Sequence, residues 1–239
     1  MNNGKILTSS YGSIPHLSTS KLNQQADKKV DIASEGYLTK KKRNKNGIII
    51  VTEKVDGSNV GIYKKDNKLY ALSRKGFRCI SSPYKHLRLF QDYVDQNIEK
   101  YMSLLGNGER ICGEWMIKTM GLEYDVPHEP FISFDIFNEE NKRILYDDFS
   151  NRCASHDIIQ AKLLHKGEAI SIDDTMNILG NHGFHGCLDK PEGAVWRYEE
   201  SGKLLIMAKY VREHKIDGIF MDDESKYNSW KDYSIITEY

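Results

Sequence analysis

Lys54 lies in Glu53-Lys54-Val55-Asp56-Gly57-Ser58-Asn59, directly after the apolar run Ile48-Ile49-Ile50-Val51. A lysine at the end of a strand, followed by an acid and a glycine turn, is placed as a covalent nucleophile would be. An ordinary lysine has a pKa of about 10.4, so only roughly 0.04% is free amine at pH 7. Burial behind the strand or cationic neighbours would lower that pKa and make the amine usable. A heptapeptide alone also matches by chance, as a lysine in an ordinary strand-to-turn connection.

Further chemistry-bearing groups follow in order: Ser73-Arg74-Lys75-Gly76, Gly113-Glu114-Trp115, Phe134-Asp135-Ile136, Glu192-Gly193 and Ala208-Lys209-Tyr210-Val211. Together with Lys54 to Gly57 this order resembles the covalent nucleotidyltransferases, namely ATP-dependent RNA and DNA ligases and mRNA capping enzymes. Glu-Lys-x-x-Gly-x-Asn as a unit is most similar to RNA ligases of the phage RNA ligase 2 type and their bacterial and viral relatives. The resemblance spans roughly residues 50 to 212.

That resemblance implies a role for each residue. Lys54 would attack the α-phosphorus of ATP to give lysyl-N-AMP and pyrophosphate, a transfer that depends on positioning and charge stabilisation. Lys209 would contact the α-phosphate. Glu192 would help hold a catalytic Mg²⁺ through water, as suits a hard carboxylate and a cation that keeps its hydration shell; the same ion would favour the neutral amine of Lys54. Glu114 would contact the ribose or the metal shell, with a structural ion pair to Arg74 or Lys118 as its bland reading. Asn59 would touch ribose or phosphate, and Arg74 would fork onto phosphate or ribose oxygens. Glu53 would accept a hydrogen bond from the adenine amino group, which favours ATP over GTP. Phe134 would stack on the base, although Phe131 or Phe137 is open as the ring that faces the pocket, since alternation puts those two on the other face. The family commonly has Lys-x-Lys in the last strand, whereas this chain has Met207 two before Lys209; Arg212, Lys203 or Lys215 is left to supply the missing cation.

The elements that must position these groups read as α+β, an adenylyltransferase-type core of two packed antiparallel sheets with flanking helices. Residues 1–46 are expected to be an irregular N-terminal extension, 47–212 the nucleotidyltransferase domain and 213–239 a short C-terminal appendage with Tyr227, Trp230 and Tyr233. Alternation and turn signals predict strands over 48–53, 59–64 and 68–73, with Asp66-Asn67 as a hairpin turn. Apolar residues three to four apart from Leu87 to Leu105 predict one amphipathic helix over 84–105. Strands are expected at 109–116, 130–137, 143–146, 193–198 and 203–211. Helices are expected near 147–162 and 172–180, the latter capped by Ser171 or Asp173. After Val211 just 28 residues remain, too few for an OB domain.

Lys and Arg equal Asp and Glu at 34 each, so no global charge steers the chain toward nucleic acid and any such surface must be local. The one dense basic run, Lys40-Lys41-Lys42-Arg43-Asn44-Lys45, is a candidate phosphate contact or a solvated loop. Cys79, Cys112, Cys153 and Cys187 show no CxxC spacing, and no apolar stretch is long enough for a signal or membrane span, so reduced thiols and an intracellular protein are expected. His182-Gly-Phe-His185-Gly-Cys187 has the look of metal-ligand spacing but lacks a second cluster, and reads better as a glycine-rich loop. The expected function is an ATP-dependent RNA ligase acting on RNA ends or a nicked RNA-containing duplex, through a lysyl-AMP intermediate. A DNA ligase, or a non-catalytic nucleic-acid-binding protein on a ligase fold, is the alternative. A core this short also allows for a protein partner in substrate capture; oligomeric state is not readable.

Overall fold

Strand β1 (Ile48–Lys54) sorts its residues by strand alternation, with Ile49 and Val51 packed on one face while Ile50, Thr52 and Lys54 line a cleft on the other. The same sorting holds in β8 (Gly193–Glu200), where Ala194, Trp196 and Tyr198 join Ile49 and Val51 in the core and Val195 and Arg197 face the cleft. The computed structural model describes residues 4–22, 27–213, 215–216, 218–221, 223 and 225–230. Tyr233 lies outside them.

β1 and β8 are the centre of one antiparallel sheet of order β7-β1-β8-β9, completed by β7 (Leu163–Gly167) and β9 (Lys203–Val211). Its outer face is covered by α1 (Ile32–Thr39), α5 (Ile172–Leu179) and Leu17. The second sheet, of order β3-β2-β4-β6, contains β2 (Ser58–Lys65), β3 (Lys68–Ser73), β4 (Arg110–Trp115) and β6 (Phe131–Phe137). Helices α2 (Lys85–Gln96), α3 (Ile98–Leu104) and α4 (Tyr146–Ala154) close its core, with Phe90, Tyr101 and Phe149 fully buried. A short parallel pair joins β5 (Asp125–Val126) to β10 (Ser229–Trp230). The described architecture is therefore α+β with two antiparallel sheets.

Several local expectations are corrected. The N-terminal segment is not irregular throughout: Asp31 caps α1 by accepting from Ser34 N, and Pro15 to Leu17 hydrogen-bond along the edge of β9 at Lys209. The expected helix over 84–105 is two helices, parted at Asn97, whose backbone leaves helical geometry. Arg143 makes a single bridge to Phe137 and Tyr146 opens α4, so no strand forms at 143–146. The helix expected over 147–162 ends at Ala154, and β7 follows as an edge strand that pairs with Ile49 to Thr52. Asp66 and Asn67 do form the hairpin turn, at φ 51° and 53°, a region that Asn and Asp tolerate. Ser171, rather than Asp173, caps α5.

Candidate active site

The cleft runs between the two sheets, and strand register decides what meets in it. Lys54 pairs with Gly193, so Glu192 is delivered beside the nucleophile candidate, and Lys54 Nζ lies 2.6 Å from Glu192 Oε2. Glycine is required at 193 because a Cβ there would fall 1.9 Å from Tyr210 O. Across the cleft, Asn59 pairs with Glu114 in the second sheet, and Asn59 Nδ2 donates to Glu114 Oε1 at 3.2 Å. Lys209, opposite Val195, and Phe134 also line the cleft, and exposed Arg74 stands at its edge beyond β3.

A fourth cation comes from outside the expected core. Lys215 Nζ lies 2.8 Å from Glu192 Oε1 and 2.7 Å from Asp56 Oδ1, both ion pairs buried. Asp56 Oδ2 accepts from the backbone N–H of Gly121 and Leu122, which ties this cluster to the loop after β4. Of the three cations weighed against Met207, Lys215 is the one found here; Lys203 begins β9 at its far end, and Arg212 donates to Gly180 O.

Charge states follow from this packing. Burial acts to lower the Lys54 pKa and Lys215 works the same way, but Glu192 and Glu114 outweigh them and the net shift is upward. The net shift is thus opposite in direction to the expected depression of the Lys54 pKa. For Glu192 burial raises the pKa, yet Lys54 and Lys215 bring it below the usual carboxylate value. Burial carries Glu114 up to about 8 against the opposing pull of Lys54, and burial followed by Lys54 lowers the pKa of Lys209.

Glu53 also borders the cleft, but its carboxylate turns away from it. Its carboxylate is on the opposite face of β1 from Lys54, where Oε2 accepts from Phe184 N at 2.9 Å and lies 4.0 Å from His185 Nε2. Thr52 shares the Lys54 face instead. The aromatic alternatives separate as well. Phe134 lines the cleft, Phe131 packs with Phe90 and Tyr101 in the core, and Phe137 lies under the guanidinium groups of Arg110 and Arg143. Tyr11, Gly12 and Ile14, which no motif marked, also line the cleft, with the Tyr11 ring edge-on to Phe134 at 4.9 Å.

Glu114 Oε2 and Asn59 Oδ1 are buried acceptors without a hydrogen-bond partner, a costly state unless a donor or cation arrives. Two hard oxygens in the cleft wall, with the Glu192 carboxylate close to Lys54, fit a magnesium-like ion, which needs only one or two protein carboxylates beside water and phosphate. Among the described residues no group of three or more His, Cys, Asp or Glu forms a ready-made metal cage. His185 is instead hydrogen-bonded to His128 and to Lys162 N, as the loop reading of residues 182–187 has it. All four cysteines are free and buried, and among the described residues no helix is long and apolar enough to cross a membrane.

A cleft of this kind, with a strand-end lysine between paired acids and bases contributed by two antiparallel sheets, has the construction of a nucleotidyltransferase core. The family described as RNA ligase matches residues 47–211, and the chain belongs to that family. Among solved structures it is similar to Naegleria gruberi RNA ligase with PPi, at 18% identity and TM-score 0.56, covering 86% of this chain and 60% of that one. A mutant of the Naegleria gruberi enzyme with AMP and Mn aligns at 16% identity and TM-score 0.54, covering 87% and 59%. Another mutant of it, with ATP and Mn, aligns at 16% and 0.53, covering 71% and 51%. These likenesses establish the fold. The chain spans between 51% and 60% of the length of these structures. No curated protein matches it significantly.

Proposed function

We propose that the chain is an ATP-dependent RNA ligase that joins 5′-phosphate and 3′-OH ends through a lysyl-AMP intermediate and an adenylylated 5′ end. The observation that carries this reading is Lys54 Nζ held 2.6 Å from Glu192 at the head of a cleft also lined by Lys209, Asn59, Glu114 and Phe134. In the first step the Lys54 amine attacks the α-phosphorus, an N–P bond forms, the α–β phosphoanhydride bond breaks, and pyrophosphate leaves. The amine must first lose its proton; Glu192 Oε2, at hydrogen-bond distance, orients it toward the phosphorus, and the lowered Glu192 pKa makes that carboxylate an orienting partner and not a strong base. Lys209 is placed to steady the α-phosphate charge, and Lys215 to hold the second Glu192 oxygen while Lys54 lets go of the first. Phe134, with Tyr11 at its edge, offers the stacking surface for the adenine ring. The base contact assigned to the Glu53 carboxylate would pass to groups on the cleft face, such as the hydroxyl of Thr52, which shares the Lys54 face of β1. Glu114, Asn59 and Glu192 are the residues that would hold a divalent cation, which when bound supplies charge stabilisation to the phosphate oxygens.

Incubation with labelled ATP and Mg²⁺, followed by denaturing electrophoresis and mass spectrometry, tests the reading. One AMP should map to Lys54, and Lys54→Ala should carry none. An adduct that persists in Lys54→Ala would falsify the assignment. Substrate class is tested with matched nicked duplexes that are all-DNA, all-RNA, or DNA with two terminal ribonucleotides on the 3′-OH side. The 2′-hydroxyl, both donor and acceptor, should make the RNA-containing ends react faster. Equal sealing of the all-DNA nick would replace RNA ligase by DNA ligase.

A further inference from the structure

Charge is segregated along this neutral chain. Residues 1–26 and 67–91 hold eight of its 34 Lys and Arg and none of its 34 Asp and Glu, so the remainder carries the excess of acid. The fold brings the described parts of these two segments together. Lys5 bridges Phe77, Ile6 N donates to Gly76 O, and Ser10 N donates to Arg74 O, so the N-terminal segment is stitched to the turn after β3. At one end of this joint surface Arg74 and Tyr11 line the cleft. From there the chain leads through Arg78 to the 3-10 turn Cys79–Ser81 and the start of α2, where Tyr84 is 60% exposed and Arg88 is exposed. Arg78 and Arg88 are held by their surroundings, the first over the Tyr70 ring at 5.7 Å and the second by the carbonyls of Ser82 and Pro83. Fixed guanidinium groups alternating with exposed rings are the combination by which single-stranded nucleic acid is held, through phosphate charge and base stacking.

The dense basic run Lys40 to Lys45 is placed differently. It precedes β1, whose seven residues separate it from Lys54 by roughly 20 Å, and Lys42 is paired with Glu168 at 2.8 Å. It is therefore not the run that adjoins the cleft.

We infer that the basic face running from Arg74 past Arg78 to Tyr84 and Arg88, bounded by Asp92 beside Arg88, binds the phosphates and bases of the single-stranded RNA whose end enters the cleft. The inference rests on the RNA ligase reading and names the surface that reading requires. The test uses the full chain with the double variant Arg78→Gln/Arg88→Gln, the variant Tyr84→Ala and the control Lys40→Gln/Lys41→Gln, each checked for an unchanged melting temperature. The probe is a short single-stranded RNA with a 3′-OH and no 5′-phosphate, titrated over a range of salt.

The double variant should weaken RNA binding about tenfold or more and reduce the slope of log K against log salt by about 1.4, the value for two lost phosphate contacts on a single strand. Tyr84→Ala should weaken it about fivefold with little change of slope, as loss of one stacked base does. Self-adenylylation with ATP alone should stay at the wild-type rate in all of them. Unchanged affinity and slope in the double variant would overturn the inference, as would an equal loss in the Lys40/Lys41 control. Failure of the wild-type chain to form any AMP adduct would remove the ligase reading by itself; RNA binding that depended on Arg78 and Arg88 would then still support the face.

Discussion

The two ends of the cleft hold their charges in opposite ways. Around Lys54 the acids and bases neutralise each other, yet Lys54 remains 21% exposed and neighbouring Glu114 and Asn59 each keep an oxygen without a partner. Around Asp135 nothing is left over. Its Oδ1 accepts from Arg197 at 2.7 Å and its Oδ2 from Tyr11 and Arg143, while Arg197 also donates to Glu199 and the Ile144 carbonyl. A charge that is reachable and whose neighbours are unsatisfied is ready to change partners. A saturated buried network holds geometry, here that of Tyr11 against Phe134.

The largest consequence belongs to the open end. Glu192→Gln keeps the shape of the carboxylate and removes its charge, and Lys209→Ala removes a cation from the cleft wall. Each should lower adduct formation by two or more orders of magnitude, since one preorganised charge contact is worth about 3–4 kcal/mol in the barrier. Glu192 is only 2% exposed and bridges two lysines, so its replacement by alanine would confuse loss of catalysis with loss of fold. Single-turnover rates at saturating ATP decide the point, and near wild-type rates in folded protein would mean the cluster is a scaffold like the other end.

The saturated end should behave in the converse way. Asp135→Asn takes the charge partner from Arg143 and leaves Arg197 with Glu199 alone, and breaking a buried pair costs up to about 3–5 kcal/mol. Denaturant titration should show that loss, while the adduct rate of the protein that remains folded should fall by less than for Glu192→Gln. A stable Asp135→Asn variant with a collapsed adduct rate would erase the contrast between the ends.

Why some of this was legible in the sequence and some not has a physical basis. β1 announces itself by its apolar run and β2 and β3 by their flanking turn signals; register across β1, β8 and β9 brings Lys54, Gly193 next to Glu192, and Lys209 together, and Glu114 faces them from the second sheet. β7 hides because Leu-Leu-His-Lys-Gly has no β-branched residue and is made a strand by its neighbour β1. The break at Asn97 hides because helical spacing continues across it. Lys215 carries no local signal, since its place depends on a chain path after β9 that returns to Asp56. The direction of the Glu53 carboxylate was readable from alternation: motif order groups it with Lys54, whereas adjacent strand side chains point to opposite faces.

That placement of Glu53 yields the smallest effect and a different kind of readout. Burial raises its pKa from 4.5 to about 7, opposed only in part by the Phe184 N–H. A carboxyl group whose folded pKa lies above its unfolded value binds more protons in the native state through that window. Its contribution to stability is therefore present below about pH 4.5 and is lost as pH rises through about 7. A pKa change of one corresponds to about 1.4 kcal/mol, so the loss is a few kcal/mol at most. Glu53→Gln stays neutral and can still accept from Phe184 N, so its melting temperature should fall less than that of the wild type between pH 5 and pH 8, with the two curves converging at the acid end. Because the carboxylate faces away from Lys54, the rate of adduct formation at pH 7 should change less in this variant than in any cleft variant above. Parallel melting curves would show that Glu53 is ionised throughout, and a rate loss as deep as that of Glu192→Gln would return it to the nucleotide site.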